Sequence, residues 1–309
     1  MKTKPIMSLH LKVLGTSTIL LLSAVFGCKQ IASIALAVPT PANHQLDSIN
    51  LNNKLLALSY SHTSSIGISA EEIARQVTVR ILTNPGAGSG VIIGRRGNIY
   101  TVLTNNHVVI DSRDNRYTIL TSDGLTHSAQ WLDSIQFPDA DLALMEFRSD
   151  RSYRVVELGN SSTLETGDTV YAAGFPNWDM SDWRNGIYDT RDWGTRAFRS
   201  TVGQVEMILP LPLTRGYGLG YTNEIEQGMS GGPVLDGNGR LVGVNGRLKY
   251  PLQGMSAYTF ENGTQPSASQ FQQMEALSWA VPISRFRNSQ SALSQTQIIQ
   301  SLKLSERED

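Results

Sequence analysis

From residue 77 onward, the chain alternates between short segments rich in β-branched and aromatic residues and short runs of turn-forming residues. Segments of this kind are typical of β-strands. Six fall in the first half of the region and six in the second, which predicts an all-β fold of two packed six-stranded antiparallel barrels. The predicted strands are Val77–Leu82, Gly88–Gly94, Ile99–Leu103, Tyr117–Thr121, His127–Ser134, Leu142–Phe147, Thr169–Ala173, Ser200–Ile208, Tyr217–Thr222, Pro233–Leu235, Leu241–Leu248 and Ser278–Val281.

The flanks of this region carry helical signals. Ser69, followed three residues later by Glu72, forms a capping box, which predicts a short helix over Ala70–Arg75. Apolar residues between Ser284 and Glu308 recur at partly helical spacing. We therefore expect one amphipathic C-terminal helix that packs on the second barrel.

Residues 1–37 have the pattern of a secretory signal peptide. They carry four lysines and no acidic residue around a largely apolar stretch, and they end in Ala35-Leu36-Ala37. We expect cleavage before Val38 and no membrane association of the mature chain. Two routes to a membrane stay open: an uncleaved leader that acts as an anchor, and a lipid on Cys28, whose surroundings loosely resemble a lipoprotein box.

The expected organisation has five parts. Residues 38–69 lack clear periodicity, and we interpret them as a tether or a processed pro-segment. The parts are the signal peptide at 1–37, the tether at 38–69, the first barrel at 70–160, the second barrel at 161–283, and the C-terminal helix and tail at 284–309.

Composition narrows the class of protein. Of the 26 basic residues, four lie in the leader, so 22 remain against 27 acidic residues. No basic stretch interleaved with aromatic residues indicates nucleic-acid binding. Cys28 is the only cysteine, so no intramolecular disulfide can form, which favours a bacterial periplasmic or secreted protein. No metal motif such as H-E-x-x-H is present, and we expect neither a metal nor a cofactor.

Ser230 lies among glycines in the run Gly228–Pro233. Glycine permits a sharp turn and leaves room for a substrate carbonyl, and such a turn aims backbone N–H groups at a developing oxyanion. Ser230 is therefore a candidate nucleophile. The alternative is a glycine-rich hairpin with a solvated serine.

A nucleophilic serine needs a base, usually histidine. Three of the five histidines precede residue 70, and His127 lies in an alternating segment that predicts a surface position. His107 follows the strongly apolar run Ile99–Thr104, which makes it the candidate base, with a structural histidine at a strand end as the alternative. Asp141, which leads into an apolar strand, is the candidate carboxylate that orients it; Asp139, after a turn signal, is the second choice.

The order of these residues separates two folds. The glycine-serine run also fits the G-x-S-x-G elbow of α/β-hydrolases, which place histidine after serine. No histidine follows Ser230 in this chain. The order His107, Asp141, Ser230 is that of the two-barrel serine proteases.

With these motifs in order, the chain resembles trypsin-like serine peptidases of the chymotrypsin fold. It is similar to the protease domain of bacterial HtrA-type enzymes and to cyanobacterial trypsin-like peptidases. Only about 27 residues follow the second barrel, so we expect no PDZ domain. The matching segments are Gly88–Ile93, Leu103–Val109, Asp141–Leu144, Ala173–Pro176 and Gly228–Leu235.

The resemblance implies a role for each candidate. His107 would be the general base and then the acid, Asp141 would fix its tautomer, and Ser230 would attack the carbonyl. The backbone N–H groups of Gly228 and Ser230 would form the oxyanion hole. Digestive relatives carry aspartate where this chain has Met229. Activation through that salt bridge is therefore not expected, and local contacts must hold the loop.

The resemblance also implies substrate-binding positions. Asn245 and Gly246 would line the primary specificity pocket, with Glu224 near its base. A buried Glu224 would favour lysine or arginine in the substrate, whereas Arg247 would favour acidic residues, and the two readings oppose each other. The stretch 177–199 either contacts substrate over the cleft or packs on its own aromatic residues.

The predicted function is that of a serine endopeptidase acting on proteins or peptides through an acyl-enzyme intermediate. A catalytically silent binding or chaperone-like protein on the same fold is the main alternative. An esterase with the same chemistry is a third hypothesis. The natural substrate and the oligomeric state are not readable from the sequence.

Overall fold

The computed structural model describes residues 68–180, residue 184 and residues 186–290. The predicted leader, and all of the predicted tether except its last two residues, lie outside the described residues. Helix α1 (Ala70–Val77) opens the described part, and the Ser69 hydroxyl accepts the Glu72 N–H at 3.2 Å. The Glu72 carboxylate accepts a bond from Gln76 within the helix, so only half of the predicted capping box forms.

The first barrel closes from six antiparallel strands in the order β1-β2-β3-β6-β5-β4. A short helix α2 (Asn106–Val109) follows the third strand. The strands are β1 (Thr78–Leu82), β2 (Ala87–Arg96), β3 (Ile99–Thr104), β4 (Tyr117–Leu120), β5 (Thr126–Trp131) and β6 (Ala143–Arg148).

The second barrel also closes from six strands, in the order β10-β11-β14-β13-β12-β7. A separate two-stranded hairpin, β8–β9, follows its first strand. These strands are β7 (Thr169–Gly174), β8 (Trp178–Asp179), β9 (Tyr188–Asp189), β10 (Arg199–Leu213), β11 (Tyr217–Tyr221), β12 (Pro233–Asp236), β13 (Leu241–Arg247) and β14 (Ser278–Pro282).

The remaining helical elements are short. Helix α3 (Ala268–Glu275) begins with a complete capping box between Ser267 and Gln270, a signal that the sequence analysis did not use. Residues 283–290 are helical, and the rest of the predicted C-terminal helix lies outside the described part. Single 3₁₀ turns occur at Ser161–Thr163, Gly194–Ala197, Thr214–Gly216 and Gly254–Tyr258.

All twelve predicted barrel strands are confirmed, and the two closed barrels give the chymotrypsin fold. The largest difference is β10, which was predicted to end at Ile208 and continues to Leu213. Its extension contains Pro210 and Pro212, and regular pairing with β11 is interrupted between Ile208 and Leu213. Proline cannot donate to a ladder but adopts extended φ angles, so the strand continues through an unpaired stretch.

Both barrels belong to one compact unit. Each has its own apolar interior, and a third buried cluster joins them with residues from both, including Leu103 and Leu142 from the first barrel and Phe175, Leu213 and Val244 from the second. This shared cluster fixes the two barrels against each other. Within the described ranges, no helix combines the length and apolarity needed to cross a membrane.

Candidate active site

His107 and Asp141 meet because their strands are neighbours. His107 lies in α2, directly after β3, and Asp141 lies directly before β6, which pairs with β3. His107 Nδ1 and Asp141 Oδ2 are 2.6 Å apart, and Asp141 Oδ1 accepts the backbone N–H of His107 at 3.1 Å. A carboxylate only accepts, so Nδ1 carries the proton and Nε2 is the ring nitrogen left for other chemistry.

Asp141 is almost fully buried and receives two more bonds, both from the second barrel. The Arg215 guanidinium lies 2.5 Å from Oδ1, and the Tyr217 hydroxyl donates to Oδ2. Burial by itself raises the pKa of Asp141, but the hydrogen bonds and charges around it, first those of His107, outweigh burial and leave that pKa below its ordinary value. Asp141 is therefore charged at neutral pH.

Tyr217 is a donor to this carboxylate and not a second acid. Its side chain is buried, and burial first, then the charge of Asp141, raises the pKa of Tyr217 well above its ordinary value. The hydroxyl keeps its proton at any working pH. The pair His107–Asp141 of the first barrel is thus held from the second barrel.

The other sequence candidates for the acid–base pair lie elsewhere. Asp139 is exposed, and Asp141 is the carboxylate that contacts His107. His127 is half-buried on β5, and its Nε2 lies 2.9 Å from the Tyr153 hydroxyl. Its ring packs against Phe147, so it is built into one face of the first barrel.

The Ser230 loop reaches across to the first barrel. The Ser230 carbonyl accepts the backbone N–H of Ser89, on β2, at 2.8 Å. Gly231 packs so closely that a Cβ there would lie 2.1 Å from the Ser89 carbonyl oxygen and 2.2 Å from Thr104 Oγ1. Thr104 ends β3, three residues before His107, so the serine loop lies against the strand end that carries the histidine. Among the described contacts, no hydrogen bond joins His107 to Ser230 directly.

Two backbone N–H groups of this loop have no internal acceptor. The N–H groups of Met229, Gly231 and Gly232 bond to carbonyls of the protein. For those of Gly228 and Ser230, the described chain offers no such bond. Gly228 has φ +102°, which only glycine adopts readily. These two unpaired donors are two residues apart, on either side of Met229.

Met229 supports the loop from below through packing. Its side chain is completely buried in the second barrel, and a Cβ at Gly174 would lie 2.7 Å from Met229 Cα. Its sulfur accepts the Glu226 N–H at 3.4 Å. Packing of a neutral side chain and one bond to its sulfur thus hold Met229 in place.

Glu224 does not meet the condition that the sequence analysis placed on it. Its side chain is 74% exposed, and Lys249 Nζ pairs with it at 2.5 Å. The reading that required a buried Glu224 therefore lacks its premise, because this carboxylate is solvated and already has a cationic partner.

The residues of β13 are committed to internal contacts. Asn245 is fully buried and bonds the Tyr221 hydroxyl at 2.7 Å and the Ala173 carbonyl at 2.9 Å. A Cβ at Gly246 would lie 2.3 Å from the Tyr217 hydroxyl oxygen. The Arg247 guanidinium lies over the Tyr217 ring at 4.4 Å. The backbone of Asn245 is bonded as well, since its N–H donates to the Gly232 carbonyl and its carbonyl accepts the Gly231 N–H, both at 2.9 Å. Gly246 is small because Tyr217 fills the space beside it.

Sequence reasoning missed the residues that hold the site together. Arg215 and Tyr217 bind Asp141, and the Ser89 hydroxyl donates to the Gly228 carbonyl at 2.8 Å. Ser89 was inside a matching segment, between two glycines, and this small-residue run was a usable signal for close packing. Arg215 and Tyr217 carried no spacing signal, since their partner is more than 70 residues away.

The two closed barrels have the fold of the two-barrel serine peptidases. The family model for the trypsin-like peptidase domain matches residues 88–244. The chain belongs to this trypsin-like peptidase family, and the resemblance predicted from the motifs is confirmed.

Curated relatives agree with this family assignment. The chain is 28% identical over 191 residues to "Serine protease Do-like HtrA" of Bacillus subtilis, covering 60% of this chain and 37% of the relative. It is 30% identical to "Probable periplasmic serine endoprotease DegP-like" of Bartonella henselae, over 56% of this chain and 30% of the relative. It is 30% identical to "Putative serine protease HhoA" of Synechocystis, over 55% of this chain and 39% of the relative. The chain thus spans about a third of the length of these relatives.

Proposed function

We propose that the protein is a serine endopeptidase that uses His107, Asp141 and Ser230 as a catalytic triad. The observation that carries the proposal is the buried Asp141 bonded to His107, beside a serine loop with two unpaired N–H groups. A carboxylate that fixes a histidine tautomer and a preformed pair of donors are the two parts that this chemistry needs. Family membership supports the same reading.

The reaction proceeds in two halves. The Ser230 oxygen bonds to the substrate carbonyl carbon as its proton passes to His107 Nε2, and the carbonyl oxygen becomes an oxyanion that Gly228 and Ser230 N–H groups bind. His107 then gives the proton to the leaving amine as the C–N bond breaks, which leaves an acyl-enzyme. Water, deprotonated by His107, attacks the ester, and the proton returns to Ser230 as the acid product leaves.

The names of the relatives and the predicted leader support a substrate class and a location. The relatives are named serine proteases, and one is named periplasmic. We infer that this chain cleaves proteins or peptides outside the cytoplasm of a bacterium, after removal of residues 1–37. An uncleaved leader or a lipid on Cys28 would keep it at a membrane, and mass spectrometry of the mature N-terminus distinguishes these cases.

A fluorophosphonate probe and casein together test the proposal. Wild type is expected to be labelled and to cleave casein, and Ser230→Ala is expected to lose both, with kcat lower by roughly 10⁴- to 10⁶-fold. Ser162→Ala, at an exposed serine of a 3₁₀ turn, is the matched control and should behave as wild type.

Each failure has its own meaning. A folded wild type that takes no label would contradict the proposal and favour a silent binding protein. Labelling together with turnover of small esters, but not of casein or peptides, would favour an esterase.

A further inference from the structure

Arg80 is a completely buried cation in β1 of the first barrel. Burial lowers the pKa of Arg80 to about 10, so the guanidinium is still charged at neutral pH. Within the described residues, no carboxylate lies close enough to form an ion pair with it. A buried charge is costly unless its donors are well bonded. Its bonding partners therefore indicate why it is there.

Those partners lie at the base of the β8–β9 hairpin, which follows the first strand of the second barrel. Nη1 donates to the Thr190 carbonyl at 2.7 Å, and Nη2 donates to the Pro176 carbonyl at 3.1 Å and to Thr190 Oγ1 at 3.0 Å. Nη2 also lies 3.4 Å from Asn177 Oδ1. Pro176 and Asn177 directly precede β8, and Thr190 directly follows β9. One side chain of the first barrel thus ties both strands of the hairpin at their base.

Asn177 connects this base to the serine loop. Its backbone N–H donates to the Gln227 carbonyl at 2.7 Å. The Gln227 carbonyl and the Gly228 N–H belong to the same planar trans peptide and point in opposite directions. A bond that holds the carbonyl from one side therefore aims the unpaired Gly228 N–H to the other side. Gly228 also fits closely, since a Cβ there would lie 2.6 Å from Asn177 Oδ1.

We propose that Arg80 is a positioning residue for the oxyanion hole: it fixes Asn177, and through Asn177 it sets the direction of the Gly228 N–H. The inference rests on the proposed peptidase function. Without the guanidinium, the hairpin base loses the donors that hold Pro176 and Thr190. Asn177 then keeps its bonds to the Ala87 carbonyl and the Thr190 N–H, but it holds the peptide between Gln227 and Gly228 less firmly. The substrate would still bind, but the developing oxyanion would lose one of its two donors.

The main test compares Arg80→Met and Arg80→Lys with wild type on a peptide substrate. Loss of one oxyanion donor predicts kcat lower by about 10²-fold for Arg80→Met, with KM within roughly threefold of wild type. Arg80→Lys keeps the charge but lacks the planar fork, so we expect about a tenfold loss. Arg95→Met, at an exposed arginine of β2, is the control and should retain full activity.

A milder variant keeps the proposal testable if Arg80→Met does not fold. Thr190→Val is nearly isosteric and removes the hydroxyl that accepts from Arg80 and donates to the Pro176 carbonyl, so we expect a kcat loss of a few-fold at unchanged KM. A purely structural role would lower the melting temperature without separating kcat from KM. Folded variants at Arg80 with the kcat of wild type would overturn the proposal.

Hydrogen–deuterium exchange separates this inference from the proposed function. The Asn177 amide is bonded in wild type and should be protected, and Arg80→Met should speed its exchange while the Val102 amide in β3 stays protected. If wild type takes no fluorophosphonate label, the proposed peptidase function is contradicted. The exchange rate of the Asn177 amide then tests by itself whether Arg80 holds Asn177 in place. Unchanged protection of Asn177 in folded Arg80→Met would then refute the role of Arg80.

Discussion

The two halves of the candidate site are held by different kinds of contact. His107 and Asp141, from the first barrel, are joined and supported by charged side chains, with Arg215 of the second barrel as the added cation. The loop around Ser230, from the second barrel, is supported by backbone hydrogen bonds and by neutral packing, with the Ser89 hydroxyl of the first barrel as the added donor. In each half, a side chain of the opposite barrel supplies a stabilising hydrogen bond.

Because of this difference, the two halves should be sensitive to different kinds of substitution. The acid–base half depends on a charge, so an isosteric change that removes the charge should damage it. The serine loop depends on backbone shape, so an added Cβ should damage it although no charge changes. Because these hydrogen bonds run between the barrels, an isolated barrel would lack part of the contacts that hold its half of the site.

The largest expected effect within this comparison is that of Asp141→Asn. The amide keeps the shape but presents a donor to His107 and favours the wrong tautomer, so kcat should fall by roughly 10⁴-fold with the fold retained. Steady-state kinetics at neutral pH measure this loss. Asp139→Asn, at the exposed neighbour, is the matched control; equal losses in both variants would remove Asp141 from its role.

Gly228→Ala tests the serine loop by shape alone. The residue has φ +102°, and a Cβ would lie 2.5 Å from the Phe175 carbonyl oxygen, so the loop must shift. Loss of an oxyanion donor predicts kcat lower by about 10²- to 10³-fold. Gly237→Ala is the control, because a Cβ there meets nothing within 4 Å. Wild-type turnover in Gly228→Ala would show that the loop does not need this conformation.

Tyr217→Phe removes a single hydrogen bond between the two barrels. The hydroxyl donates to the buried Asp141 carboxylate, and a bond to a charged group is worth about 1.5–3 kcal/mol. We expect the free energy of unfolding to fall by about that amount and kcat to fall roughly tenfold. Urea unfolding and kinetics measure the two effects. Tyr250→Phe, at an exposed tyrosine, should change neither; a Tyr217→Phe protein as stable and active as wild type would contradict this role of the hydrogen bond.

The smallest expected effect is a difference in pH dependence between two carboxylates. The folded pKa of Asp141 is below its ordinary value, so its stabilising contribution is complete above about pH 3.9 and is lost as the pH falls through the folded pKa. Burial raises the pKa of Glu226, beside the serine loop, so its contribution is complete below about pH 4.3 and is lost as the pH rises.

Urea unfolding between pH 2 and pH 7 separates these two effects. Asp141→Asn should weaken the loss of stability on the acid side, and Glu226→Gln should weaken the loss that occurs as the pH rises above about 4.3. If both substitutions change the same side of the profile of stability against pH, the two carboxylates do not have pKa values shifted in opposite directions, and this expected difference between the two halves is contradicted.

Local pattern predicted much of the fold. Each barrel strand is a short run of β-branched and aromatic residues between turn signals, and this information lies within five to ten neighbouring residues. The chain continued as a strand through Pro210 and Pro212 because tertiary pairing on either side holds an extended stretch that lacks a ladder of its own. Helix α3 was missed, although Ser267 and Gln270 were a readable capping signal.

Residue types and their order along the chain were enough to predict the succession of strands, the family, and the candidates His107, Asp141 and Ser230, because these are local or linear properties. The folded structure was needed to show that Glu224 is exposed, that Arg215 and Tyr217 hold Asp141, and that the buried Arg80 reaches the hairpin beside Gly228. The physical reason is that burial and partnership depend on which distant segments two closed barrels bring together. A charged residue in a sequence does not state whether water, a carboxylate or a backbone carbonyl will be its neighbour.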